Sequence, residues 1–382
     1  MADRLNLAMV AGETSGDLLA GLLLGGLKQR WPDLASHGIG GPKMAAHGFD
    51  AWWPYEKLAV HGFNMEVLRR FREIYGIRKE LGNRLLAQRP DVFVGVDAPD
   101  FNLGLESRLK QAGIKTVHFV SPSIWAWRGG RINKIHQSVD HMLCLFPFEP
   151  ELYHAKGIAA TFVGHPLADA IPMEVPREAA RQRLGLSPDA KVVAVLPGSR
   201  RGEIQHIAPT FLQTVALLAR LGPELKFVLP VVPGLRELVA PMVAEHAPDA
   251  PLMVVDGQSH DALAACDVTL IASGTATLEA ALFKRPMVIS YKISGLSWQL
   301  MKRMGYLPWF GLPNILLRDF VVPERLQHDA TPEQLSRDVL DWLDHPAKAA
   351  AVEQRFTELH HTLRRNTAQA ATDAIAQVIE SR

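Results

Sequence analysis

Two aspartates, Asp97 and Asp100, stand three residues apart just where the apolar run of residues 92–96 stops. A carboxylate at the carboxyl end of a buried parallel strand lies where open α/β sheets keep their chemistry, and it can act as a general base. Either aspartate could equally cap the helix that follows. A second acidic turn, Gly12-Glu13-Thr14-Ser15-Gly16-Asp17, follows the apolar residues 5–10. It lacks the glycine spacing of a dinucleotide loop and sets polar and acidic groups where a pyrophosphate would lie, which suggests a polar substrate site; a helix cap by Ser15 or Asp17 is the alternative. The third turn is basic. The β-branched run Val192-Val193-Ala194-Val195-Leu196 breaks into Pro197-Gly198-Ser199-Arg200-Arg201. Gly198 allows close backbone approach, Ser199 can donate a hydrogen bond, and Arg200 offers a planar fork suited to phosphate. In the fourth turn, Ala272-Ser273-Gly274-Thr275-Ala276-Thr277-Leu278-Glu279, the chain enters a helix whose amides and dipole would face a phosphate. Glu279, one turn in, can accept hydrogen bonds from ribose hydroxyls, while Thr275 can also be read as an N-cap. Gly257-Gln258 closes another strand, and His165 in Gly164-His165-Pro166 could be a structural hydrogen-bonding group, but its place at the interdomain crossing favours a ligand contact.

These turns need strands and helices to hold them. The chain has 382 residues, more than one hydrophobic core supports, so two domains are expected. Strand patterns at residues 5–10, 90–96, 115–120, 141–145 and 160–163, with a strand end at 36–42, give a first parallel α/β domain. Residues 52–61 read as aromatic and irregular. The proline-bearing stretch 171–177 is the expected linker, after which strands at 192–196, 226–231, 252–255, 268–271 and 287–290 build a second domain. From Thr331 the pattern is helical, broken near His345-Pro346, with a return towards the first domain. The expected boundaries are therefore 1–170, 171–345 and 346–382. A helix at 64–79 carries Val67, Leu68, Phe71, Ile74 and Tyr75 as an apolar stripe flanked by Arg69, Arg70, Arg72 and Lys79. That stripe is either core or a membrane-surface face.

Composition narrows the function. Lys plus Arg number 41 against 40 Asp plus Glu, which argues against a protein that coats nucleic acid. Cys144 and Cys266 lie far apart in apolar runs and read as buried free thiols of a reducing compartment. Residues 1–7 lack a signal-peptide pattern and the apolar run 18–27 is too short to span a bilayer, so a soluble or peripheral protein is expected. Two parallel domains with anion-binding turns concentrated in the second describe a nucleotide-sugar enzyme working at an interdomain cleft.

Taken together, Gly12–Asp17, Asp97-Ala98-Pro99-Asp100-Phe101-Asn102, Ser121-Pro122-Ser123-Ile124-Trp125-Ala126-Trp127, Gly164-His165-Pro166, Leu196–Arg200 and Ser273–Glu279 closely resemble the lipid-A-disaccharide synthase family, over nearly the whole chain. The resemblance implies a GT-B fold of two Rossmann-like parallel-sheet domains. It implies an inverting transfer of diacylglucosamine from its UDP conjugate to diacylglucosamine 1-phosphate, at the inner face of a Gram-negative inner membrane, by a cytoplasmic and peripherally attached enzyme. Asp97 is then the favoured base ahead of Asp100, with Glu13 or His118 next in line. Arg200 and the amides at Gly274 and Thr275 hold the departing diphosphate. Donor contacts fall to Ser15, Gly198, Ser199, Arg200, Gly257, Ser273, Gly274, Thr275, Ala276, Thr277, Glu279 and Asn314. No DxD motif ends a strand, so a metal-independent reaction without a cofactor is expected; a homodimer is left open. Two competing readings are a UDP-sugar epimerase, which needs no acceptor, and a non-catalytic nucleotide-sugar binding module.

Overall fold

The computed structural model describes residues 5–58, 65–292 and 307–381, with backbone alone at 65–71. The chain forms two compact units, one of residues 1–169 with 362–382 and the other of residues 170–361. Of the segment 346–382, expected to return as a whole, residues 346–361 therefore group with the second unit.

The first unit holds a seven-stranded parallel sheet made of β1 (Asn6–Ala11), β2 (Ala35–Gly40), β3 (Asp50–Pro54), β4 (Val92–Val96), β5 (Lys115–Phe119), β6 (His141–Cys144) and β7 (Ala159–Phe162). Its order is β3-β2-β1-β4-β5-β6-β7, so the direction of winding reverses between β1 and β4. Successive strand residues face opposite ways, and this divides the core. Leu7, Met9 and Ala11 pack with Leu23, Leu24 and Leu27 of the Thr14–Arg30 helix and with Ala371, Ala374 and Ile375 of the Thr367–Glu380 helix. Ala8 and Val10 face Ile77, Leu81 and Leu85 of the Met65–Gln88 helix and Phe101, Leu105 and Leu109 of the Pro99–Gln111 helix. A fully buried isoleucine such as Ile375 contributes about 1.5–3 kcal/mol, so the last helix is an integral wall of the first unit.

The second unit repeats the plan with β8 (Val192–Leu196), β9 (Lys226–Val231), β10 (Leu252–Asp256), β11 (Val268–Ala272), β12 (Met287–Tyr291) and β13 (Glu324–Leu326), ordered β10-β9-β8-β11-β12-β13. Here winding reverses between β8 and β11. Both units thus have the strand order of a Rossmann-like sheet, in which ligands bind beyond the carboxyl ends of the strands at the reversal. The expected α/β class of two parallel sheets is present.

Two strands escaped the sequence pattern, β3 and β13, and each is an edge strand. Edge strands are covered on fewer sides and need no continuous apolar run; residues 50–54, read as irregular from position 52 onward, are half exposed and end in a proline. The helix expected at 64–79 runs instead from Met65 to Gln88. Its buried face is Ile77, Leu81 and Leu85, Ile74 is half-buried, and Tyr75 is 62% exposed. Val67, Leu68, Phe71, Arg69 and Arg70 lie outside the described side chains.

The 121–127 motif is pinned from inside the first unit. The Trp125 indole N–H donates to Glu149 Oε1 at 3.0 Å, the Phe146 amide donates to Glu149 Oε2 at 3.0 Å, and Ser121 Oγ meets Tyr153 Oη at 2.7 Å. Burial pushes the Glu149 carboxyl up to about 7 from 4.5, partly offset by these donors. The folded state then holds the proton longer than the unfolded chain, so this stabilisation is complete below about pH 4.5 and is lost as pH rises to about 7. The stability advantage of wild type over Glu149→Gln should accordingly shrink by roughly 3 kcal/mol across that window, then stay flat. Denaturant unfolding of both proteins from pH 4.5 to 8 measures it; a constant gap would show that Glu149 stays ionised.

Candidate functional site

At the reversal point of the first sheet, the turns after β1 and β4 face one pocket of about 450 Å³. Glu13, Asp97 and Asp100 line it together with Arg78, and Leu58, Ile74, Tyr75 and Phe101 supply its apolar wall. A Cβ on Gly12 would come within 2.8 Å of Ala98 Cβ, so glycine lets these two turns approach. Asp97 and Ala98 are both left-handed, with φ of 51° and 43°. Such a pair costs about 1–2 kcal/mol per residue and persists because its surroundings hold it. Asn102 Nδ2 donates to the Asp97 carbonyl at 2.8 Å, and the Asp97 amide donates to the Phe119 carbonyl at 2.8 Å. Asn102, fully buried, is a supporting residue that the reading of the sequence did not single out.

The two aspartates differ in their partners. The Asp100 carboxylate is ion-paired with Arg131 Nη2 at 2.6 Å. Among the described residues the half-buried Asp97 carboxylate takes no hydrogen bond or ion pair, which leaves it open to a substrate hydroxyl. Glu13 is exposed at the N-cap of the Thr14–Arg30 helix, and its side chain makes no capping bond. Ser15 is exposed in that helix's first turn. Asp17 turns inward instead and accepts from the amides of Gly41 at 2.9 Å, Lys43 at 2.9 Å and Met44 at 3.2 Å; it secures a neighbouring turn, and neither Ser15 nor Asp17 is the N-cap.

Two histidines fall out of the chemistry. His118 has no exposed side-chain surface and pairs through Nδ1 with the equally buried Glu106 at 2.7 Å, so it cannot reach a sugar hydroxyl as a base. Gly95 is the glycine that makes room for this pair, because a Cβ there would overlap the Glu106 carboxylate. His165 is buried and stacked on Phe146, its Nδ1 accepting from the Leu167 amide at 3.2 Å. Burial lowers its pKa to about 4 and keeps the ring neutral. Of the two roles open to it, hydrogen bonding within the fold is the one the contacts show.

At the reversal point of the second sheet, the turns after β8 and β11 carry the basic and the glycine-threonine motifs. Gly198 has φ of 113°. The Ser199 and Arg200 amides donate to Glu203 Oε2 at 3.3 and 3.4 Å, and Arg200 Nη1 pairs with Glu203 Oε1 at 3.0 Å. The turn therefore already holds an anion, the carboxylate of Glu203 in the first turn of the Arg201–Leu221 helix, where the helix dipole favours it. The Arg200 side chain is 80% exposed and can reach a ligand by leaving Glu203. After β11, Gly274 is the N-cap of the Thr275–Leu282 helix with φ 152° and ψ −167°, a conformation that is essentially reserved for glycine. Gly274 and Thr275 are exposed there, and Ser273 and Ala276 are half-buried.

Other candidates act at one remove. Thr277 is buried, and its hydroxyl donates to the Gly274 carbonyl at 2.7 Å, so its side chain shapes the turn. Asn314 is fully buried and fully engaged, its Nδ2 donating to the Val322 carbonyl at 2.9 Å and Glu324 Oε1 at 2.8 Å while its Oδ1 accepts from the Val322 amide at 3.1 Å. Glu324 also accepts from the Phe310 and Gly311 amides, and the Phe310 carbonyl accepts from Ser273 Oγ at 3.1 Å. The Asn314 side chain thus anchors the loop beside Ser273. Gly257, with φ of 65°, ends the edge strand β10, away from the reversal point. His260, unnoticed in the sequence, ties that region to the helix after β11, its Nε2 lying 3.6 Å from Glu279 Oε2, and this carboxylate holds its pKa above the usual histidine value. Among the described residues no group of three histidine, cysteine or acidic side chains is arranged to hold a metal ion.

The model of the lipid-A-disaccharide synthetase family matches residues 7–377. The chain belongs to this family. It is similar to the lipid-A-disaccharide synthase of Albidiferax ferrireducens, 60% identical over 100% of this chain and 99% of the relative, and to that of Verminephrobacter eiseniae, 56% identical over 98% and 97%. The family resemblance expected from the motifs is therefore correct, and the chain is an enzyme, a glycosyltransferase of lipid A biosynthesis. Among solved structures, it resembles a UDP-GlcNAc 2-epimerase from Neisseria meningitidis bound to UDP-GlcNAc, with TM-score 0.62 and 11% identity over 99% of this chain and 100% of the other. A glycosyltransferase from Rickettsia africae matches with TM-score 0.60 and 10% identity over the whole of both chains. At such identities these two likenesses concern the fold alone.

Proposed function

We propose that the enzyme joins UDP-2,3-diacylglucosamine to 2,3-diacylglucosamine 1-phosphate, forming a β-1,6-linked disaccharide 1-phosphate and releasing UDP. Donor binding belongs to the turns after β8 and β11, acceptor binding to the pocket after β1 and β4. Asp97 takes the proton of the acceptor 6-hydroxyl as that oxygen attacks the anomeric carbon; the bond to the diphosphate breaks and its electron pair leaves with UDP. An α-linked donor and a β-linked product make this a single inverting displacement. Arg200 and the amides at Gly274 and Thr275 stabilise the charge that grows on the diphosphate. The observation that carries the reading is the Asp97 carboxylate, unpaired among the described residues and set on a strained turn at the reversal point of the first sheet.

Both substrates carry acyl chains, so contact with a membrane surface is part of the proposal. No helix among the described residues is long and apolar enough to cross a membrane. The Met65–Gln88 helix offers exposed Arg72, Tyr75 and Lys79 as a basic and amphipathic approach.

The test is UDP release by the purified chain with labelled donor, with and without the acylated acceptor. Release that requires the acceptor and matches disaccharide formation supports transfer. Conversion of the donor in the absence of acceptor would move the assignment to epimerisation, and binding without turnover would reduce the chain to a nucleotide-sugar binding module.

A further inference from the structure

Among the described residues the first-sheet pocket is lined by three carboxylates and one guanidinium, that of Arg78 on the Met65–Gln88 helix. Arg78 is half-buried, and its Nη1 reaches the carbonyl oxygen of Asp100 at 3.4 Å. Its Cζ lies 5.5 Å from the centre of the Tyr75 ring, itself part of the pocket wall. Among the described residues Arg78 forms no ion pair; the Asp100 carboxylate is given to Arg131 instead. The place of the guanidinium is also prepared by its neighbour. Gly104, on the Pro99–Gln111 helix, leaves bare backbone beneath it, for a Cβ there would sit 3.0 Å from Arg78 Nη1 and 3.5 Å from Cζ.

A half-buried guanidinium with no carboxylate partner keeps its binding capacity for a ligand, and its planar fork matches the oxygens of a phosphate. The need for such a cation is local. With Asp100 met by Arg131, the charges of Glu13 and Asp97 would repel an anionic ligand from this pocket unless a cation received its anionic end. We propose that Arg78 binds the phosphate of the acceptor and so makes the pocket selective for a phosphorylated sugar. This rests on the reading of the Asp97 pocket as the acceptor site and adds to it the group that recognises the acceptor's charged end.

The experiment compares initial rates of UDP release by the full chain with two acceptors, acylated glucosamine 1-phosphate and the same lipid without its phosphate. Wild type should favour the phosphorylated acceptor. Arg78→Ala should raise KM for that acceptor by about tenfold to a hundredfold, the range of a charged hydrogen-bonded contact, with the donor KM unchanged and no further loss on the unphosphorylated lipid. Arg78→Lys, which keeps the charge but not the fork, should fall between. Gly104→Ala checks the same contact without touching the arginine, since the added methyl pushes the guanidinium aside by a few tenths of an ångström, and it should lower the preference for phosphate while melting like wild type. It decides the matter if Arg78→Ala fails to fold. Equal losses on both acceptors, or an undiminished preference for phosphate in Arg78→Ala and Gly104→Ala, would overturn the proposal. Wild type that releases no UDP with either acceptor would instead sink the acceptor-site reading on which it rests.

Discussion

Asp97→Asn is expected to lower turnover by about a hundredfold or more while leaving UDP binding intact, the loss typical of removing a positioned general base. The substitution is well matched to the site. Asparagine keeps the shape of aspartate and tolerates the left-handed backbone that Asp97 adopts at φ 51°, so the strained turn and its Asn102 contact survive while basicity is removed. Asp100→Asn should do less, because the Asp100 carboxylate is already committed to Arg131 and 82% exposed, whereas Asp97 is unpaired among the described residues and half-buried. Steady-state turnover with a UDP titration on each variant gives both numbers. Equal and mild effects would place the base elsewhere, with Glu13 as the remaining carboxylate of the pocket.

Arg200→Ala carries the second large effect. Charge grows on the diphosphate as its bond to the sugar breaks, so a guanidinium aimed at it stabilises the transition state more than the bound donor. Its removal should cost about 3 kcal/mol in the barrier, a hundredfold or more in turnover, with a much smaller change in donor KM. On this proposal one rearrangement comes first. Arg200 and the two turn amides are held by Glu203, so a bound diphosphate has to draw the arginine away from that carboxylate. Arg200→Lys should recover part of the loss, since it restores charge without the two-pronged fork. An Arg200→Ala enzyme with near-normal turnover would remove Arg200 from the reaction.

What could be read from the sequence were the buried central strands and the turns that leave them. Residues 92–96 and 192–196 are covered on both faces, so they must be apolar and β-branched, and the sharp change to Asp97 or to Gly198-Ser199-Arg200 is visible without coordinates. Edge strands such as Glu324–Leu326 carry no such demand and were invisible. The division of labour among polar residues was equally hidden. Asp17 and Glu13 sit in one turn, yet only coordinates show Asp17 spent on backbone amides and Glu13 exposed at the pocket. Asn314 and Thr277 enter as donor contacts through the family resemblance, and their side-chain bonds hold the turns themselves. His118 is the same lesson in the core: a histidine on a strand can be held through one ring nitrogen by a buried glutamate twelve residues away.

The most direct test is the configuration of the new glycosidic bond, read from the proton coupling at the anomeric carbon of the purified product. A single displacement at an α-linked donor, with Asp97 as base and no sugar bound covalently to the enzyme, gives a β linkage. An α-linked product would mean retention, and would contradict the assignment of one base and one step to this pocket.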